Sequence, residues 1–296
     1  MARFAPAFFV VLWSTGFLVA RYATEDAGPF TFLAIRTAVA GALLWGVARA
    51  VGEARVARGD LATQSLVGVG MHAMYLGGVF AAINFGLPAG LSALIAGLHP
   101  VGTAVLSRWV LAEHLSVRQW VGTVLGMIGV AAVVIDRGVA GAGVSGRALA
   151  AMAVAVAGMV GGTIIQRRRA GDVPLLGGTA VQYAATTAIL AVPAVAVERW
   201  EFTLTQRSLL SFAWAIGVLS VAAVLTMLWL LKRREATSVS SLFFLTPALS
   251  ALGAAVLFGE RLGWSSAAGL VVALVGVRLV TAPAVSMREP VTPRQT

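Results

Sequence analysis

Apolar runs of about twenty residues alternate with short polar or glycine- and proline-rich breaks along almost the whole chain. A helix needs about 20 mostly apolar residues to cross the hydrocarbon core of a bilayer, so each run predicts one spanning helix. Cutting at charges and at Pro/Gly clusters gives ten spans, at approximately residues 4–20, 29–51, 64–84, 87–109, 117–135, 147–166, 174–197, 208–231, 238–258 and 262–282. The breaks are too short to hold a soluble domain. The expected fold is therefore an all-α membrane protein, since a helix satisfies its own backbone polar groups where water is absent. The first run opens Met1, Ala2, Arg3 and lacks a clear small-residue cleavage site, so it reads as a retained first helix.

Composition supports the bilayer as solvent: 59% of residues are hydrophobic and only 11% are charged. A net charge of +10 would suit a nucleic acid, but the basic residues are scattered between apolar runs rather than gathered on one face, and no nucleic-acid partner is expected. Their distribution orients the chain instead. With the N-terminus inside, 15 of the 22 Lys and Arg residues fall on inner segments, 6 on outer ones, and Arg36 lies within the second span. Positively charged loops resist translocation, so both termini are predicted to be cytoplasmic. The absence of cysteine removes disulfides and thiolate metal sites. The only lysine, Lys232, follows Leu231, so no phosphate-binding P-loop exists, and His72, His99 and His114 lie on different segments. No cofactor and no metal are expected.

Residues 88–133 align without a gap onto 235–280, an offset of 147. The matches include Leu98 with Leu245, Pro100 with Pro247, Glu113 with Glu260, Gly122 with Gly269 and Gly129 with Gly276. Two five-helix repeats follow, at 1–138 and 139–284, with a cytoplasmic tail at 285–296. Because five is odd, the second repeat enters from the opposite face, and rocking one half against the other can expose a central cavity to either side. The twofold pattern of Pro100, Glu113, Leu115 and Gly122, then Pro247, Glu260, Leu262 and Gly269, resembles the drug/metabolite transporter superfamily in its ten-helix, EamA-type branch. Within that branch the chain looks most like the YddG-type exporters of aromatic and other amino acids. The resemblance implies a monomeric multi-pass transporter of the inner membrane with a small-molecule substrate and no enzymatic activity. Export of another metabolite or a drug, or a non-transport membrane enzyme, is the alternative.

The candidate chemistry is sparse. All twelve acidic residues fall at helix ends or in loops, so the mid-membrane carboxylate that serves cationic drugs or proton exchange is missing. A neutral or zwitterionic substrate held by aromatic, hydroxyl and amide groups is expected. Pro100 and Pro247 should kink the fourth and ninth helices, which makes the preceding His99 and Thr246 candidate cavity liners. His72 and Tyr75 share a face of the third span, and Gln182 and Tyr183 lie together on the seventh. Trp13 interrupts the first span, whereas Trp214 reads equally as cavity wall or interfacial anchor. Glu113 and Glu260 each begin a tight reversal, where a carboxylate can accept from the first amides of the next helix. Arg36, about 10 Å from the outer end of its span, is placed either to meet a substrate carboxylate or to turn inward or toward water.

Overall fold

The computed structural model describes residues 5–112, 115–139, 144–169, 173–223, 225–226, 245–260 and 263–281. Among the described residues ten helical stretches follow one another: α1 (Ala5–Asp26), α2 (Pro29–Ala50), α3 (Arg58–Asn84), α4 (Ala89–Val110), α5 (Val117–Val139), α6 (Gly146–Arg169), α7 (Leu175–Ala196), α8 (Gln206–Ala222), α9 (Thr246–Phe258) and α10 (Trp264–Thr281). Six of them, α2 to α7, are long and apolar enough to cross a membrane. The expected eighth and ninth spans run partly outside the described residues.

Local chemistry sets several starts. Pro29 occupies the first turn of α2, where its missing amide hydrogen has no helical partner to lose. At α8 the Thr205 hydroxyl accepts from the Ser208 amide while the Ser208 hydroxyl accepts from the Thr205 amide, both at 2.9 Å.

The packing follows a twofold pattern. Helices α2 and α7 meet each other, as do α5 and α10, so each meets its own repeat-mate. The contact of α1 with α9 is matched by that of α6 with α4, and the contact of α3 with α6 by that of α8 with α1. The α5–α10 seam shows this atom by atom. A Cβ added at Gly122 would sit 2.6 Å from the Gly276 carbonyl oxygen, and one at Gly269 would sit 2.8 Å from the Gly129 carbonyl oxygen. The 147-residue register turns one of these contacts into the other, as an inverted pair of repeats requires.

Three helices are irregular where they face the centre. Helix α3 widens to a π-helix at Val69–Met74, and α8 does so at Trp214–Ala222. The repeat register carries the first stretch inside the second. Helix α4 breaks at Gly97 and Leu98 and restarts at His99, which puts Pro100 in the first turn of the new segment. Pro247 occupies the same place at the start of α9. The sequence anticipates the two prolines; it gives no local signal for the π stretches, which tertiary packing sustains.

Candidate functional site

These irregular stretches surround a cavity at the middle of the bundle. Its upper part is walled by Trp13, Phe17, Arg36, His72, Tyr75 and Tyr183, with Met71, Phe80, Met159 and Leu219 between them. Its lower part shares Trp13, Phe17, Met71, Tyr75 and Met159 and continues to His99, Pro100, Thr246 and Pro247. The walls are aromatic and sulfur-rich, with few polar groups, the usual make-up of a small-molecule pocket.

The two histidines are held in place by different partners. His72 Nε2 lies 3.1 Å from the Gln182 side-chain oxygen, and its ring meets the Tyr183 ring edge-on at 4.9 Å. Gln182 in turn donates to Gln64, 2.7 Å away, which is fully buried. Gln182 thus braces His72 from behind and does not itself line either part of the cavity. His99 Nδ1 lies 3.0 Å from the Ala96 carbonyl oxygen. That carbonyl is the one Pro100 would bond if it had an amide hydrogen, so the proline frees the acceptor and the preceding histidine takes it. A carbonyl only accepts, so Nδ1 carries the hydrogen and Nε2 is left for the cavity.

Other expected residues are divided between the cavity and its surroundings. Trp13 lies on the wall of both parts, and Tyr75 and Tyr183 present hydroxyls with no protein hydrogen bond among the described residues. Thr246, repeat-mate of His99, is buried with its hydroxyl unbonded among the described residues. Trp214 is 40% exposed and donates to the Thr15 hydroxyl at 2.9 Å, away from both parts of the cavity. Arg36 turns inward: it is buried, and its Nε donates to the Ser220 hydroxyl in the π stretch of α8 at 3.0 Å. Glu113 lies outside the described residues. Glu260 accepts from the Ala89 and Gly90 amides at 2.8 and 3.2 Å, so it caps α4 of the other repeat rather than the helix that follows it in sequence.

That cap belongs to a set of ties at one end of the bundle, each joining the first repeat to the second. Glu198 accepts from the Phe30 and Thr31 amides, at 3.0 and 2.7 Å, and from the Thr31 hydroxyl. Ala27 and Phe202 form a bridge, flanked by bonds from the Gly28 amide to the Glu201 carbonyl and from the Thr203 amide to the Asp26 carbonyl. Phe32 stacks near Phe80 and meets Phe212 edge-on, which fills the space beneath. Glu198 and the Phe32 cluster were invisible to pattern reading, because nothing in an isolated turn shows which distant helix it will meet.

Asp26, at the polar end of α1, is gripped by Arg207 through Nε and Nη2 at 2.7 and 2.8 Å, and by the Thr205 hydroxyl. Arg207 also reaches Glu25. The Arg207 hydrogen bonds, aided by Thr205, hold the Asp26 carboxyl below its ordinary range against the opposing effect of burial. A carboxyl depressed in the folded state stabilises fully above its unfolded value, near pH 4, and loses that contribution as pH falls through the folded value. Asp26→Asn should therefore unfold at a lower temperature than the wild type at pH 6, and the gap should close toward pH 3. Thermal unfolding in detergent at both pH values checks this; an equal gap at both would remove the ion pair from the account.

Known proteins resemble the chain over nearly its whole length. The model of the EamA-like transporter family matches residues 5–135 and again residues 146–282. YvbV of Bacillus subtilis strain 168, described as an uncharacterized transporter, is 26% identical over 283 residues, which are 93% of this chain and 89% of that protein. A probable amino-acid metabolite efflux pump of Salmonella typhimurium is 25% identical over 287 residues, 93% of this chain and 92% of its own. The inner membrane transporter YedA of Escherichia coli K12, also described as uncharacterized, is 24% identical over 277 residues, with 92% and 87% covered. A solved crystal structure of a protein superimposes with a TM-score of 0.62 at 21% identity over 94% of this chain and 96% of that one, a likeness of fold.

Proposed function

Because this chain belongs to the EamA-like transporter family, we propose that it is a secondary exporter of amino acids, aromatic and other neutral ones, and related small metabolites, working by alternating access. The observation that carries this reading is the central cavity, enclosed between repeat-related helix interruptions and walled by aromatic rings, methionines and a few hydrogen-bonding groups. Such walls suit an apolar side chain beside a polar head. The Salmonella relative's description as a probable amino-acid metabolite efflux pump supports the substrate class.

The protein sits in the inner membrane with both termini in the cytoplasm, as the distribution of basic residues and the Escherichia coli relative's description favour. The end closed by Asp26, Glu198 and Glu260 is then the external one. Substrate enters from the cytoplasm, and release outside requires those inter-repeat ties to part while the ends of the same helices close below. The ties are polar and lie at the water interface, where breaking them exchanges protein partners for water at small net cost. No carboxylate of the described residues lines the cavity, which disfavours a cationic drug as the substrate.

Counterflow in liposomes carrying the purified protein tests this. Labelled phenylalanine should accumulate against an internal pool of unlabelled phenylalanine, saturably, with leucine and methionine competing and lysine competing poorly. Exchange no greater than in empty liposomes, from protein shown to be folded and from a panel of all amino-acid classes, would overturn the substrate class.

A further inference from the structure

We infer that Arg36 is the receptor for an anionic carboxylate, so that the carboxylate, rather than the ammonium, is the group the cavity requires of its substrate; this rests on the transport reading above and sharpens its substrate class. Arg36 is only 6% exposed, although it stands on α2 within the apolar thickness of the bundle. Its one hydrogen bond among the described residues runs from Nε to Ser220, a neutral hydroxyl, and none of the ion pairs among the described residues involves it. The guanidinium keeps its charge under any physiological condition and carries a fork of further N–H donors that this bond leaves open.

Arg36 lines the cavity, and the same wall includes Tyr75 and Tyr183, whose hydroxyls also have no protein acceptor among the described residues. A buried cation with no counter-ion is costly in a low-dielectric interior, and a site of this kind is stabilised when a ligand brings the missing charge. A guanidinium fork matches the two oxygens of a carboxylate, while the apolar wall of Phe17, Phe80 and Leu219 receives the substrate's side chain. The Nε bond aims the fork and ties it to the π stretch of α8, in the opposite repeat. Arg36 therefore positions the substrate carboxylate where both halves can feel it.

The test uses wild-type and variant protein in the same counterflow system, with phenylalanine, its amide, phenethylamine and 3-phenylpropionate as competitors. Phenylalanine and 3-phenylpropionate should compete, whereas the amide and the amine, which lack the carboxylate, should not. Arg36→Gln should raise the KM for phenylalanine about tenfold to a hundredfold with a smaller effect on the turnover, and Arg36→Lys should recover part of the loss. A purely structural role would instead lower the turnover of every substrate alike. If the amide competes as well as the acid in the wild type, the inference is overturned while the transport reading stands. Should no amino acid exchange, ligand-induced thermal stabilisation decides: stabilisation by 3-phenylpropionate that Arg36→Gln abolishes keeps the carboxylate receptor and discards the amino-acid reading, and its absence discards the receptor as well. Because the wild-type competition needs no variant, misfolding of Arg36→Gln leaves the inference open to refutation.

Discussion

Leucine in place of Gly129 should leave little folded protein. The glycine sits on α5 where it crosses α10, and a Cβ there would lie 2.8 Å from the Ala273 Cα and closer still, well inside van der Waals contact, to the Ala273 amide nitrogen and the Gly269 carbonyl oxygen. Backbone cannot turn aside as a side chain can, so the helices would have to separate along a seam that pairs Gly122 with Gly276 and Gly129 with Gly269. In a bilayer, association of helices depends on close packing rather than on expulsion of water, and a gap along the seam forfeits dispersion contacts on both sides. Overpacking of this kind costs about 3 kcal/mol or more. The monodisperse fraction after detergent extraction and the thermal midpoint measure it. Gly161→Ala is the control: nothing lies within 4 Å of a Cβ at that position, so stability should hold or rise by up to about 1 kcal/mol from the better helix former. Equal behaviour of the two variants would show that the seam is looser than described.

The second large effect is expected at Glu260. Its carboxylate accepts from the first free amides of α4, Ala89 and Gly90, and its negative charge faces the positive end of that helix dipole. Gly259, with φ of 66°, ends α9 in the left-handed conformation and turns the chain so that Glu260 reaches across to the other repeat. Glu260→Ala should cost about 2 kcal/mol of stability through the lost cap and lower exchange severalfold by weakening closure of that end. Glu260→Gln, which keeps one acceptor, should recover part of both. An unchanged thermal midpoint in the alanine variant would mean that α4 satisfies its amides elsewhere.

The same residue shows how far pattern reading reaches. The pairing of Glu113 with Glu260 through the repeat, and the capping role of Glu260, follow from sequence. Its actual partner does not, because a carboxylate in a reversal has several helix starts within reach and only the assembled bundle selects one. His99 is similar: Pro100 predicts a disturbed helix, but the use of the freed Ala96 carbonyl by the histidine ring depends on where the break falls. Gln182 lies beside the candidate liner Tyr183, yet its side chain is taken up by His72 and Gln64. Trp214, which sequence leaves between two roles, is placed outside the cavity by the crossing of α8 with α1.

By itself the sequence determined what depends on solvent and chain length. Run length marks the helices because lipid tolerates only a self-bonded backbone of sufficient span; the 147-residue register marks the two halves because the same packing chemistry is used twice; the placement of acidic residues bears on the cavity's charge because an unpaired carboxylate is too costly to lie in the bilayer without a purpose. Only the tertiary structure decided which groups meet: Glu198 with α2, Glu260 with α4, Arg36 with Ser220, and the π stretches of α3 and α8 with the central cavity. Those choices turn on helix crossings between residues more than a hundred positions apart, and on a few tenths of an ångström at small residues, which hydrophobic pattern does not encode.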